Sequence, residues 1–295
     1  MEEPFRPTLQ PFLDTTTPYE EARIAIIGAP LDLTGSYRRG TRFAPEAIRQ
    51  ASQYMDTYSP RTGLDMDDLS FADLGNLKLS EDVETSLSVI EEAVKSIHGS
   101  GRTPMLLGGE HTATLGVLRA LKPDLVVDFD AHLDLRDRLM GLEMSHATFM
   151  RRAMEELDFK LVVLGSRALS REELDFVEEN PDRISMVNSA ELRKGVKPSL
   201  KAVRGWLEDA SSVYMSIDMD VLDPAVAPAV GNPSPEGIDV TQLLDALSLM
   251  VDERLLGFDL TEVSPHYDSG LTATQAVYIV LEAMYLIESG RASTG

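Results

Sequence analysis

The stretch Leu125-Val126-Val127-Asp128-Phe129 leads without a break into Asp130-Ala131-His132-Leu133-Asp134. A short, nearly continuous apolar run reads as a strand buried on both faces. The residues able to do chemistry come where that strand ends. The same arrangement recurs three times. Pro104-Met105-Leu106-Leu107 runs into Gly108-Gly109-Glu110-His111, and Val213-Tyr214-Met215-Ser216-Ile217 runs into Asp218-Met219-Asp220-Val221-Leu222-Asp223-Pro224. Leu255-Leu256-Gly257-Phe258 runs into Asp259-Leu260-Thr261-Glu262. In a parallel sheet all strand C-termini lie along one edge, and ligands bind there. Four strands would therefore deliver carboxylates and imidazoles to one place.

Outward from these four, residues 23–27, 160–164 and 184–187 also read as strands, giving seven with 104–107, 125–129, 213–217 and 255–258. Amphipathic segments lie between them. Ser80, followed by Glu81, Asp82 and Glu84, reads as an N-cap with an acid-rich first turn, opening a helix that runs to about Ile97 and stops before Gly99. Asp239 or Thr241 caps another that ends near Val251, and a C-terminal helix from Leu271 to Ile287 is closed by Gly290. Strands alternating with helices predict an α/β fold: a parallel sheet of seven or eight strands in three layers, with helices on both faces. No linker, repeat or low-complexity tract divides the chain, so residues 1–295 read as a single domain.

Composition narrows the function. The 295 residues include no cysteine, which excludes disulfides, thiolate metal sites, Fe–S clusters and a cysteine nucleophile. Twenty-seven Lys and Arg against 49 Asp and Glu give a net charge of −22, the wrong sign for a nucleic-acid partner. No uninterrupted apolar run reaches the roughly 20 residues that span a bilayer, so no membrane partner is expected. The N-terminal MEEPFRPTLQPF is acidic and broken by proline, unlike a signal peptide. A cytoplasmic location is the expectation.

Carboxylates packed at the end of a buried sheet repel one another and are costly to desolvate. Divalent cations are the economical remedy. Asp130-x-His132-x-Asp134 has a spacing of two, which in an extended chain puts all three side chains on one face, and Asp218-x-Asp220 repeats it. With His111 this makes two imidazoles and four aspartates, too many for one tetrahedral zinc with its about four ligands. The set suits two ions that share carboxylates. Its oxygen-rich, sulfur-free character favours Mn²⁺. An isolated Asp-x-Asp or Asp-Pro is ordinarily a solvated turn; the joint pattern carries the argument.

Gly-Gly-Glu-His at 108–111, Asp-Ala-His-Leu-Asp at 130–134 and Ser-Ile-Asp-Met-Asp-Val-Leu-Asp-Pro at 216–224 resemble, in order, the signature blocks of the ureohydrolases, the arginase and agmatinase family. The likeness extends over nearly the whole chain. It implies an arginase-like α/β/α fold, two Mn²⁺ per chain, and hydrolysis of a guanidino group to urea and an amine by a metal-bridging hydroxide. It implies further that His111, Asp130, Asp134 and Asp218 hold one ion, and His132, Asp130, Asp218 and Asp220 the other. His146 matches the family's proton shuttle, Glu262 the carboxylate that grips the guanidinium, and Asp220 could pass a proton on. Family members form homotrimers or homohexamers.

The substrate is read from the flanks. Residues 28–49, 145–152 and 262–268 resemble agmatinases more than arginases. Arginases carry an Asn-containing stretch before the shuttle histidine that binds the substrate's α-carboxylate. Here Gly141-Leu142-Glu143-Met144-Ser145 has none, and Glu143 and Asp137 would repel a carboxylate. A doubly cationic guanidino substrate such as agmatine, cleaved to putrescine and urea, fits better. Glu143 and Asn232 are taken as substrate contacts beside Glu262 and His146. The chain departs from the family pattern at Glu110 (usually Asp), Ala147 (often Gly), Asn232 (usually Thr in Gly-Thr-Pro) and Glu236-Gly237 (favouring two glycines). The alternatives are arginine, guanidinobutyrate or formiminoglutamate as substrate, a single-zinc deacetylase-like use of the fold, or a non-catalytic scaffold. His266 could line the pocket or only be exposed, and Tyr37, Arg38 and Arg39 could form a substrate loop or a subunit contact. His98, beside Gly99, reads as a helix C-terminal contact.

Overall fold

The apolar runs do form strands in the computed structural model, which describes residues 4–292. The first three residues of the acidic N-terminal stretch lie outside the described residues. The strands are β1 (Phe5–Arg6), β2 (Ile24–Ala29), β3 (Phe71–Leu77), β4 (Thr103–Gly108), β5 (Leu125–Phe129), β6 (Lys160–Ser166), β7 (Ile184–Asn188), β8 (Val213–Asp218) and β9 (Leu255–Thr261). They make one nine-stranded sheet, ordered β1-β3-β2-β4-β9-β8-β5-β6-β7. Every pairing is parallel except β1 with β3.

Seven of the nine are the strands read from the sequence; β1 and β3 raise the count above seven or eight. β3 escapes a sequence reading because Asp73, Gly75 and Asn76 are poor strand formers. Tertiary contacts override that preference. Arg49 is fully buried and holds Asp73 by a two-pronged ion pair, Nε to Oδ2 at 2.7 Å and Nη2 to Oδ1 at 2.9 Å.

Alternate side chains leave the sheet on opposite faces. Leu125, Val127 and Phe129 join a core that includes helix residues Ile48, Leu244 and Val277. Val126 joins a second core with Ile90, Leu118 and Phe149. Helices therefore cover both faces, in three layers. Each fully buried Leu, Ile or Phe in these cores contributes about 1.5–3 kcal/mol.

The helices also adjust the expected boundaries. Helix Val83–Gly99 is capped by Asp82, whose side chain accepts from Thr85 N, and not by Ser80; Ser80 Oγ instead accepts from Asp82 N. Asp82 is one residue from the helix, within reach of its free N–H groups. Asp239 caps Val240–Ser248 with Gln242 in a reciprocal capping box. The last helix, Leu271–Ala292, runs past Gly290. By length and composition its stretch Leu271–Gly290 could cross a membrane, so the expectation from apolar runs alone was too narrow. That stretch is largely buried inside the protein, as a core helix is.

β4, β9, β8 and β5 are neighbours in the middle of the sheet. These are the four strands whose ends carry Glu110 and His111, Glu262, Asp218 and Asp130.

Candidate active site

Two of the four strand ends turn by a local device that aims the side chain. Asp130 Oδ1 accepts from His132 N at 2.7 Å, and Asp218 Oδ1 accepts from Asp220 N at 2.7 Å. Both are Asx turns, in which an aspartate bonds the amide two residues on. The spacing of two therefore works through a tight turn, and not through the extended chain expected from alternation. In each aspartate the second oxygen, Oδ2, remains for the site.

Those oxygens converge. His111 Nδ1 lies 3.3 Å from Asp130 Oδ2, 3.3 Å from Asp134 Oδ2 and 3.3 Å from Asp218 Oδ2. His132 Nδ1 lies 3.1 Å from Asp220 Oδ2 and 3.5 Å from Asp130 Oδ1. Among the described residues, two groups thus have donor atoms close enough to hold a metal ion: His111, Asp130 and Asp218, and Asp130, His132 and Asp220, with Asp130 common to both. Donor atoms about 3 Å apart are what bonds of roughly 2.2 Å to one ion leave between neighbouring ligands. His111 Nδ1 and Asp130 Oδ2 are buried without a hydrogen-bond partner. Such atoms are costly unless something satisfies them, and a cation would satisfy both. The residues present fit a pair of divalent cations.

The electrostatics agree. Burial raises the Asp134 carboxyl to about 7, with the Asp130 charge adding to it. Burial and the charges of Asp220 and Asp130 also push Asp218 well above the carboxylate range. Burial opposes a charged His111, but Asp128 and the three nearby carboxylates outweigh it and hold the imidazole well above its usual value. These shifts share one cause, an excess of buried negative charge.

His111 is oriented from behind. Its Nε2 lies 2.8 Å from Ser216 Oγ, which donates to Asp259 Oδ1 at 2.6 Å. Asp259 Oδ2 accepts from Tyr214 Oη at 2.5 Å and from Thr114 Oγ1 at 2.8 Å. Asp128, Ser216 and Asp259 lie in one cross-strand row over β5, β8 and β9. This relay fixes which imidazole nitrogen faces the aspartates. Sequence reading noted Asp259 at its strand end but missed the row, which only the register reveals.

Glu262 is buried, and its Oε1 accepts from His111 N at 2.8 Å. Burial lifts its carboxyl to about 8; the His111 amide opposes this and Glu110 adds to it. Gly231 packs against it so closely that a Cβ there would come within 2.7 Å of Glu262 Oε2. Glu262 (φ 65°) and Asp134 (φ 53°) both have left-handed backbones, an uncommon conformation for residues with a Cβ.

A cavity of about 210 Å³ opens onto these groups. His111, His132, Asp134, Asp218, Asp220 and Glu262 line it. His146 and Asn232 line it too, joined through Ser36, whose Oγ is 3.1 Å from His146 Nε2 and 3.4 Å from Asn232 Oδ1. Burial and the nearby His132 charge lower His146 to about 4, leaving a neutral imidazole at neutral pH. Asp130 is fully buried behind the wall. Glu143 is not brought in: it is exposed and forms an ion pair with Arg138, in the surface turn around Gly141. His266 packs at a tilt against Phe43, with ring centroids 4.8 Å apart, and is not among the cavity-lining residues. Arg38 covers Tyr37 and Tyr267 and donates to Pro228 O at 3.0 Å. The exposed His98 gives its carbonyl to Gly101 N at the helix end. Arg136 and Leu139 line the cavity without any signal in their sequence context, whereas Ser36 lies in the flagged stretch 28–49 but was not itself singled out.

Comparison with known proteins follows the same lines. The Arginase family profile matches residues 22–286. The agmatinase of Bacillus subtilis (strain 168) is 38% identical over 282 residues, covering 92% of this chain and 94% of that protein. The guanidinobutyrase of Pseudomonas aeruginosa PAO1 is 35% identical over 274 residues, covering 89% and 86%. The crystal structure of agmatine ureohydrolase from Thermoplasma volcanium superimposes with a TM-score of 0.88 at 36% identity, covering 97% of each chain. With its sheet, its paired aspartate–histidine groups and this match over most of its length, the chain belongs to the arginase family.

Proposed function

We propose that the chain is a guanidino hydrolase that converts agmatine and water to putrescine and urea. The observation that carries this reading is the juxtaposition of Glu262 with two donor groups that share the buried Asp130 and whose other members line the same small cavity. His111, Asp130, Asp134 and Asp218 would hold one Mn²⁺, and His132, Asp130, Asp218 and Asp220 the second. When bound, the two ions would lower the pKa of a water molecule and make a nucleophile available near neutral pH. Glu262 accepts two guanidinium N–H groups side by side, which fixes the plane of the guanidinium and presents its carbon. Asp220 takes up a proton at its carboxylate. The leaving amine must gain one, because an amide-like anion is a poor leaving group. His146, with Nε2 at the cavity wall beside Ser36, exchanges that proton with solvent.

Arg136 supports a second reading. It lines the cavity, and the nearest carboxylate to pair with it, that of Glu173, is 3.8 Å away. A guanidinium held only by this long ion pair would suit the carboxylate of a guanidino acid such as guanidinobutyrate. Urea release from agmatine, guanidinobutyrate and arginine, each with added Mn²⁺, separates the readings. The first requires the highest kcat/KM on agmatine. The proposed assembly is a cytoplasmic homotrimer or homohexamer, checked by sedimentation.

A further inference from the structure

Glu110 lies next to a proposed metal ligand but points away from it. It is buried, and four donors converge on its carboxylate. Oε2 accepts from Leu33 N and Thr34 N, both at 2.7 Å. Oε1 accepts from Thr34 Oγ1 at 2.8 Å and Thr112 Oγ1 at 2.9 Å. An acceptor-only carboxylate dictates where the Thr34 hydroxyl proton goes: toward Oε1. Thr34 Oγ1 has then spent its single proton and can only accept. Its two remaining contacts are both with His146, from the backbone N at 2.9 Å and at Nδ1 at 3.4 Å, the long end of a hydrogen bond. A neutral imidazole facing an acceptor at Nδ1 carries its proton on Nδ1. Nε2 is then a lone pair that accepts the Ser36 hydroxyl proton at 3.1 Å, a closer contact than the 3.4 Å from Ser36 Oγ to Asn232 Oδ1, and it faces the cavity.

We propose that Glu110 is a positioning residue for the reaction: acting through Thr34, it sets the place and the tautomer of His146, so that Nε2 can receive and return a proton at the cavity. The contact joins residues 112 positions apart in sequence. This inference rests on the proposed shuttle role of His146.

Glu110→Gln tests the direction of the hydrogen bonds with almost no change of shape. The Gln oxygen must stay with the two backbone N–H groups, so its NH₂ falls opposite Thr34 Oγ1 and donates to it. Thr34 then turns its own proton toward His146 Nδ1 and favours the wrong tautomer. The measurement is a double-mutant cycle on the Mn²⁺-loaded enzyme, with metal content determined for every variant. His146→Ala is expected to lower kcat by about 10–100-fold. Glu110→Gln should lower kcat by about 10-fold with KM and metal content unchanged, yet cost less than about 2-fold when added to His146→Ala. Thr34→Val should repeat that pattern, and Thr34→Ser, which keeps the hydroxyl, should restore the rate that Thr34→Val loses. If Glu110→Gln fails to fold or loses metal, the Thr34→Val cycle decides alone. Losses that multiply in the double variant overturn the positioning role and leave the shuttle standing. No loss in His146→Ala overturns the shuttle, and the inference with it.

Discussion

The two edges of the sheet both gather carboxylates, and they differ in kind. At the N-terminal edge, Asp124, Asp158, Asp182 and Asp209 surround a surface hollow beside Lys160, Arg183 and Trp206. All four are exposed, and Asp124 spends one oxygen on the amides of Ser211 and Ser212 at 3.1 Å each. Water solvates such groups at little cost. At the C-terminal edge, Asp130, Asp134, Asp218 and Asp220 are buried, aimed at two imidazoles, and partly without partners. A count of acidic residues would rate the two edges alike. Burial and convergence distinguish a surface that is merely charged from one that asks for cations.

The largest test of that contrast removes one carboxylate from each edge. Asp130→Asn or Asp218→Asn should strip the bound metal and lower urea production by more than ~1,000-fold, measured by metal analysis and turnover. Asp158→Asn, at the other edge, should change turnover by less than about twofold. Equal effects would erase the distinction. Glu262→Gln, next in size, should keep its metals and lower kcat/KM by about 100-fold, because the amide presents a donor to the guanidinium where a second acceptor is needed. Asp259→Asn probes the buried edge one layer deeper. Weakening the hold on Ser216, and so on His111, should reduce metal affinity by about 10–100-fold while the sheet still folds, as titration with Mn²⁺ would show.

The smallest effect is a pH dependence. Glu262 must be ionised to attract a guanidinium, and burial lifts its carboxyl to about 8 before cations or substrate arrive. As pH falls through that value the carboxyl gains a proton and binding weakens, so kcat/KM should rise from pH 7 to pH 9. His146 already lacks its second proton over this range. A kcat/KM that falls as pH rises there would contradict the assignment.

Much of this edge was legible in the sequence because strand and chemistry are contiguous. The apolar run 125–129 must be buried, and Asp130 follows it with no intervening loop. His111, Asp218 and Glu262 were placed for the same reason. What escaped notice depends on contacts between distant segments. Thr34 and Ser36 occupy a loop with no periodicity, and their tie to His146 exists only after folding. Glu143, read as a substrate contact from the stretch before His146, is exposed and paired with Arg138 in a surface turn, off the cavity wall. β3 was hidden by its own polar residues, and the buried Arg49 that accounts for them lies in another element. Glu110 was seen only as a departure from a pattern, whereas its four donors give it a purpose.

Glu262 and Asp134 hold their working positions with backbones that glycine would occupy more comfortably. Selection for sturdiness alone would drift toward glycine at both places, relaxing the main chain and removing a buried acid in the same stroke. Bulky acids in that twisted shape mark where, on the proposed reading, this fold gives up robustness for chemistry.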